Sequence, residues 1–346
     1  MGRTLMVLGG GGALGAYQAG ALLALAEQGV LPDALFGCSA GALNAAFLAS
    51  DPGLPRTREL AAWWADTRTH SVLSPSKWSR VRGFAAAATT RADALFDERP
   101  LRRLISEQVR AHDLSELALP LSVTTTCLDC GAARHHDRGP AEDVLVASCS
   151  LPGLFSPVRL PDGHLHVDGG VVCGVPLQAA LDDAGPEDSV VVLDCGFAPV
   201  TGLAGGCAGI TGIPGAELED ACGLTPQERR YVAPTDSGRG VLDVVLRAFT
   251  VARAVANTAS TAAGLADPRV RVVPHVADAF VAGLLSDLPA GPRDLSRTQQ
   301  LVDAGHAATA LWLPAQGLVA QGPAAQGPVA QEPLGHAERL AVPTGD

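Results

Sequence analysis

The sequence predicts an α/β fold: a mainly parallel central sheet flanked by helices, in a three-layer α/β/α arrangement. Three observations carry this expectation. Short apolar runs alternate with helix-like segments through much of the chain, the pattern of strands joined by crossover helices. A run of four glycines, Gly9 to Gly12, separates the first apolar run from the first helix-like segment. A Gly37-Cys38-Ser39-Ala40-Gly41 pentapeptide stands at the next such junction. Glycine at a junction lets the backbone turn sharply and lets another group come close.

Taken in order, Thr4–Leu8 is a buried strand of the kind that opens an α/β domain. Residues 17–26 form a helix that stops near Gly29, and Ala34-Leu35-Phe36 is a second strand. Helices are expected over 42–49, 58–64 and 101–109, the last of these amphipathic. Residues 121–126, rich in threonine, are strand-like. Alternation over 164–167 predicts a strand that ends at Asp168, with a glycine turn beyond it. Residues 189–194 are a buried strand, 270–274 a late strand and 297–312 a final helix. The pattern weakens between 63 and 95, where Trp78 and Phe84 lie among basic residues; this reads as a surface helical insertion. Residues 241–265 read as a buried or groove-lining helix, broken by Asp243, Arg247 and Arg253.

The sequence therefore divides into one domain over 1–314, carrying a flexible glycine-rich loop at about 199–238, and a tail over 315–346. The tail repeats a five-residue Ala-Gln-Gly-Pro-type unit, and its Pro, Gly and Gln content predicts disorder.

The chemistry concentrates at three places. In the G-x-S-x-G pentapeptide, Gly37 and Gly41 flank Ser39 between a strand and a helix, the setting that holds a serine hydroxyl up as a nucleophile. The helix N-terminus behind it contributes partial positive charge where an oxyanion would form. Upstream, the amides of Gly10, Gly11 and Gly12 can point at an anion without side-chain obstruction. Downstream, Asp168 before Gly169 and Gly170 can accept a proton from a serine hydroxyl. Each has a plainer alternative. An Asp-Gly-Gly is a common turn. Gly10-x-Gly12-x-x-Gly15 fits a dinucleotide fingerprint, which also requires an acidic residue ~20 positions on, at the end of the second strand. Asp33 has that spacing but precedes the second apolar run instead of ending it, so a nucleotide-binding oxidoreductase ranks below a hydrolase. A Ser-His-Asp triad would need a partner among nine histidines, and none has a triad context; His135 and His136 read as loop residues, His164 and His166 as strand residues.

Composition narrows the partners. Net charge of −11 excludes nucleic acid and electrostatic attachment to anionic membranes, and leaves apolar surface as the route to peripheral membrane contact. Aromatic residues are only 4% of the chain, so packing must rely on Ala, Val and Leu. No stretch reaches the ~18 uncharged apolar residues of a spanning helix. Met1-Gly2-Arg3 runs straight into the first strand, so no leader is expected; Met6 stands where myristoylation wants Ser or Thr. A cytoplasmic location follows from these readings. Eight cysteines in 346 residues are no disulfide framework. Cys127-x2-Cys130 followed by His135 and His136 is set aside as a zinc site, because adjacent strand residues point to opposite faces. The hydrolytic chemistry requires no metal and no cofactor.

The glycine run, the serine pentapeptide and Asp168-Gly169-Gly170 occur in an order that resembles the patatin-like phospholipase family. Residues 147–157, Ala-Ser-Cys-Ser-Leu-Pro-Gly-Leu-Phe-Ser-Pro, resemble the family's A-S-x-x-x-P-x-x-F-x-P stretch, and Val171-Val172 and Pro176-Leu177 its continuation. The likeness spans residues 5–193. It implies a patatin-like fold and a Ser39–Asp168 dyad that cleaves acyl esters of lipids, in a phospholipase, lysophospholipase or esterase. An acyltransferase would use the same dyad and is not separated from a hydrolase by the sequence, whereas the intact Ser39, Asp168 and glycine loop argue against a lipid-binding protein with weak catalysis. Two positions depart from the family pattern. Leu14 stands where many members carry Arg or Lys, and Cys173-Gly174 where many carry Asn-Asn. The first removes a charge beside the glycine loop; the second removes side-chain hydrogen bonds beyond Asp168.

Overall fold

A computed structural model describes residues 2–66, 94, 96–194, 257, 261, 264, 266–276, 295 and 297–318. The 199–238 loop and the tail beyond 318 lie outside the described residues, as do nearly all of 67–95 and all of 241–265 except Asn257, Thr261 and Gly264, which are helical.

The strands are β1 (Thr4–Leu8), β2 (Ala34–Cys38), β3 (Leu121–Cys127), β4 (Ala133–His136), β5 (Val158–Arg159), β6 (Leu165–Asp168), β7 (Ser189–Leu193) and β8 (Val270–Val272). The helices are α1 (Gly15–Glu27), α2 (Ala40–Ser50), α3 (Leu54–Ala65), α4 (Arg99–Gln108), α5 (Ala141–Cys149), α6 (Leu177–Asp183) and α7 (Thr298–Trp312). All strands join one sheet. β1 lies parallel between β2 and β7, β2 runs parallel to β3 and β7 to β8. The antiparallel part is confined to β4, β5 and β6 around β3.

Both faces of the sheet are covered, as the near-continuous apolar character of the central strands requires. Successive side chains alternate in facing. Leu5, Val7, Ala34, Phe36, Val190 and Val192 pack with Leu177 and Ala180 of α6. Met6, Leu8, Leu35, Val191 and Leu193 enter the larger core beneath the other helices. The three-layer expectation and the predicted central strands hold. The sequence reading did not foresee α5, α6, β4 or β5. These elements are two to nine residues long, too short to show a hydrophobic period. His135 and His136, read as loop residues, lie on β4.

The register on β3 decides the geometry of the whole centre. β2 pairs with Leu121 to Thr124, and β6 with Thr125 to Cys127. β4 pairs with Val123 to Thr126, overlapping both, and so occupies the other edge of β3. β2 and β6 therefore share one edge and run toward each other. Their carboxyl ends meet where Cys38 pairs with Thr124 and Asp168 with Thr125.

Small residues let α1 and α7 approach to backbone contact. A Cβ on Gly20 would lie 1.9 Å from the carbonyl oxygen of Val302, and one on Gly305 would lie 2.0 Å from that of Tyr17. His306 and Glu27 close the exposed end of the same pair at 2.7 Å. Gly20→Ala or Gly305→Ala must push the helices apart. Each is expected to lower unfolding free energy by about 1–3 kcal/mol, the usual cost of overpacking, measurable by urea denaturation of the purified chain; unchanged midpoints would refute the close approach.

Candidate active site

The turn after β2 places Ser39 at φ 53°, ψ −125°, the one non-glycine positive φ among the described residues. Such a conformation costs about 1–3 kcal/mol and persists only when its surroundings hold it. Two hydrogen bonds and two close backbone approaches do so. The Ser39 amide donates to Ser148 Oγ at 2.9 Å, and Ser148 Oγ donates to the Thr124 carbonyl at 2.7 Å. On either side, Gly37 and Gly41 leave no room for a side chain. A Cβ on Gly41 would lie 2.1 Å from the Leu8 carbonyl oxygen, and one on Gly37 would lie 2.6 Å from Ala42 Cα.

Ser39 Oγ donates to Asp168 Oδ2 at 2.7 Å. Both residues are buried, Asp168 completely. The other carboxylate oxygen of Asp168 accepts the Gly170 amide at 2.7 Å, and the Asp168 amide donates to the Ser150 carbonyl at 2.9 Å. Gly169 lies against β3, where a Cβ would meet the Thr124 carbonyl oxygen at 2.5 Å and Cys38 Sγ at 2.9 Å. The carboxylate is thus held from its own backbone and aimed at the hydroxyl. Cys149 and Cys173 remain thiols here. Burial first, and then the charge of Asp168, raise Cys149 well above the usual thiol range; burial raises Cys173.

The glycine loop follows β1, next to the start of α2. Gly12 takes φ 59°. The amide of Gly10 donates to the Gly174 carbonyl at 2.9 Å and so ties this loop to the segment beyond Asp168. The amides of Gly11 and Gly12 have no hydrogen-bond partner among the described residues. Gly15 fits beneath Trp64, whose ring a Cβ would meet at 2.6 Å. Leu14 is fully buried in the core. At Gly174 a side chain would strike the amide of Asn257, 2.5 Å from where its Cβ would be. Asn257 is itself buried, so an asparagine from a distant part of the chain packs where the family pattern has one locally.

A buried amide chain, not foreseen from sequence, joins these parts. Gln18 Nε2 donates to the Leu193 and Gly9 carbonyls at 2.8 and 3.3 Å. Asn44 Nδ2 donates to Gln18 Oε1 and to the Gly15 carbonyl, and Trp64 Nε1 donates to Asn44 Oδ1. One network therefore fixes the glycine loop, the end of β7 and the helix behind Ser39. Asp33, the acidic residue a nucleotide fingerprint would use, binds the Thr4 amide at the opposite end of β1 from the glycine loop.

Among the described residues the Ser39 hydroxyl is hydrogen-bonded to Asp168 and to no histidine. Thr125 Oγ1 lies 2.8 Å from both His136 Nε2 and His166 Nδ1, and His166 Nε2 lies 3.0 Å from Asp162. Thr124 Oγ1 pairs with His135 Nδ1 on the adjacent register position. His135 and His136 thus bond to different threonines and do not join the two cysteines.

Residues 6–181 match the family model described as patatin-like phospholipase. Patatin-like phospholipase domain-containing protein 6 of Mus musculus is 32% identical over 204 residues, covering 58% of this chain and 14% of that protein. The neuropathy target esterase sws of Drosophila sechellia is 31% identical over 172 residues, covering 49% of this chain and 11% of its own length. The chain thus spans about a seventh or less of the curated relatives it matches. Among solved structures, VipD from Legionella pneumophila aligns with a TM-score of 0.37 at 17% identity, over 57% of this chain and 50% of that one.

Two outcomes are expected. Ser148→Ala leaves the Ser39 amide buried without its acceptor, so stability should fall by about 1–3 kcal/mol, with lower turnover of any ester that Ser39 attacks; Ser148→Thr, which keeps the hydroxyl, should restore much of both. Burial, and then the charge of His166, hold His136 down to about 4. An unfolded histidine titrates near ~6.5, so the unfolded chain binds more protons between these values and stability drops as pH falls through that window. Thermal melts of His136→Gln should show a shallower loss there than wild type.

Proposed function

The chain belongs to the patatin-like phospholipase family, and on that footing we propose that it is a serine acyl hydrolase in which Ser39 and Asp168 form the catalytic dyad. The observation that carries this reading is the 2.7 Å hydrogen bond from Ser39 Oγ to Asp168 Oδ2, made at a backbone-strained serine in a buried setting. Family membership supports a lipid substrate at the level of class. Val171 and Val172, exposed just beyond Asp168, give the rim of the site the apolar character an acyl chain would meet.

In this mechanism Asp168 takes the Ser39 proton as Oγ attacks the acyl carbonyl. The amides of Gly11 and Gly12 receive the developing oxyanion, while Gly10 holds the loop through Gly174. The dipole of α2, which begins at Ala40, adds partial positive charge on the same side. Collapse of the tetrahedral intermediate breaks the ester C–O bond, and the leaving alkoxide takes the proton from Asp168. Water then attacks the acyl-enzyme, giving its proton to Asp168, and Ser39 recovers that proton as the fatty acid departs. No histidine takes part. The Gly170 contact to Oδ1 matters because it keeps Oδ2 facing the hydroxyl through both half-reactions.

The test combines fluorophosphonate labelling with hydrolysis of p-nitrophenyl esters of graded chain length. Wild type should label at Ser39 and turn over the esters. Ser39→Ala should lose labelling, and both Ser39→Ala and Asp168→Asn should lose at least ~10,000-fold in kcat, the scale seen when a nucleophile or its orienting carboxylate is removed. Near-native turnover in a folded Asp168→Asn variant would overturn the dyad.

A further inference from the structure

The β3–β4 turn holds a cluster that plays no part in the proposed hydrolysis. Cys127 ends β3, and Asp129 and Cys130 lie on the turn that follows. The turn is tight: the Gly131 amide donates to the Cys127 carbonyl at 2.9 Å, the Cys127 amide donates to the Ala132 carbonyl at 3.0 Å, and Gly131 takes φ 70°. His164 reaches the turn from the residue just before β6. Its Nδ1 lies 3.0 Å from Asp129 Oδ2, which also accepts the Leu165 amide at 3.0 Å. The Leu128 amide donates to the Leu165 carbonyl at 2.8 Å, fixing the turn to β6 from the backbone as well.

One sulfur, one carboxylate oxygen and one imidazole nitrogen, from Cys127, Asp129 and His164, lie within 4.8 Å of one another. A tetrahedral zinc ion, with bonds of about 2.0–2.3 Å, needs donors about 3.3–3.8 Å apart, so small side-chain rotations close the set. Cys130 is the fourth donor at hand. It follows Cys127 by three residues on the same tight turn, outside the 4.8 Å group, and its sulfur accepts from the Arg134 guanidinium at 3.5 Å. Asp129 and His164 are about half exposed, so an ion can reach them, while Cys127 is buried behind them.

We propose that Cys127, Asp129, Cys130 and His164 form a structural zinc site that clamps the β3–β4 turn to the start of β6. Mixed sulfur, nitrogen and oxygen donors in a compact set suit zinc better than the oxygen-seeking magnesium or calcium. The pairing differs from the one the spacing alone suggests: the two cysteines are joined by His164, from far along the chain, and not by His135 and His136. With all four donors supplied by protein the site is closed, so its role is to hold structure. What it would hold is the strand that delivers Asp168.

The experiment uses the full chain purified under reducing conditions without chelator. Bound zinc is measured by elemental analysis, and affinity by Zn2+ titration against a chromophoric chelator. Co2+ substitution reports sulfur ligation through a thiolate-to-cobalt charge-transfer band. Wild type and the exposed-histidine control His112→Ala should hold one equivalent and gain thermal stability with added Zn2+. His164→Ala and Cys127→Ser should lose more than ~100-fold in Zn2+ affinity, beyond the loss from removing an outer-shell partner, and should lose the Zn2+-dependent rise in Tm. Because Cys127 is buried, its serine variant can fail through packing; His164→Ala and Asp129→Asn, at exposed positions, then decide. Equal Zn2+ affinity in wild type and His164→Ala, a cobalt spectrum without the thiolate band, or a Cys127–Cys130 disulfide in a chain that takes up no Zn2+ after reduction would each overturn the site.

Discussion

Two strands that end against the same edge of β3 set the terms for everything at the centre of this protein. β2 arrives from one direction and β6 from the other, and their last residues stand opposite Thr124 and Thr125. Ser39 and Asp168, 129 residues apart in sequence, meet because the sheet leaves them adjacent places on one edge. A head-on meeting leaves no space for either chain to continue straight. β2 must turn at Ser39, which accounts for its positive φ, and β6 must turn at Gly169, which accounts for the absence of a side chain against Thr124. Thr124 then serves both turns: its carbonyl receives Ser148 Oγ, and Ser148 in turn receives the Ser39 amide. The strain at the serine is therefore balanced by the same strand that positions the aspartate.

The surrounding structure is built from small residues and buried amides. With few aromatic rings, close packing is reached by letting backbones touch, as at Gly41 against Leu8 and at Gly20 against Val302. Gln18 and Asn44 add side-chain donors to buried backbone carbonyls, Gln18 to that of Leu193, which also accepts the Gly9 amide, and Asn44 to that of Gly15. This is a demanding arrangement, because a partly satisfied buried network is worse than an apolar one. Here Trp64 caps the chain of amides and every member has a partner.

Much of this is legible in the sequence, for physical reasons that differ from place to place. The central strands show because they are buried on both faces and so read as unbroken apolar runs, as in Val190 to Leu193. Gly9 to Gly12, Ser39 and Asp168 show because tight turns and proton transfer each demand particular residue types. Ser148 is marked only as the fixed serine of the A-S-x-x-x-P-x-x-F-x-P stretch, which does not say what it binds; the fold gives it the Ser39 amide. Gln18 and Asn44 look like ordinary polar residues in helices until the carbonyls they face are known. His164 stands 35 residues from Asp129, and only the antiparallel pairing of β3 with β6 brings them together. α6 runs about two helical turns and β5 a single pleat, too few repeats for a hydrophobic period to stand out.

The contact between α1 and α7 has a consequence for how the chain comes together. α1 is buried on nearly all sides, and much of its cover is a helix about 280 residues away, as the Glu27–His306 pair at a separation of 279 residues marks. Contacts so distant in sequence raise the entropic barrier to folding and slow it. During synthesis at ~5–20 residues per second, α1 leaves the ribosome roughly 15–60 s before α7 does. For that interval an apolar helix, with the glycine loop at its head, has no native partner for one flank. The nascent protein therefore spends its early life with one flank of a strongly apolar helix open to other chains, and holding that surface apart until residue 312 has emerged falls to chaperones or to chance.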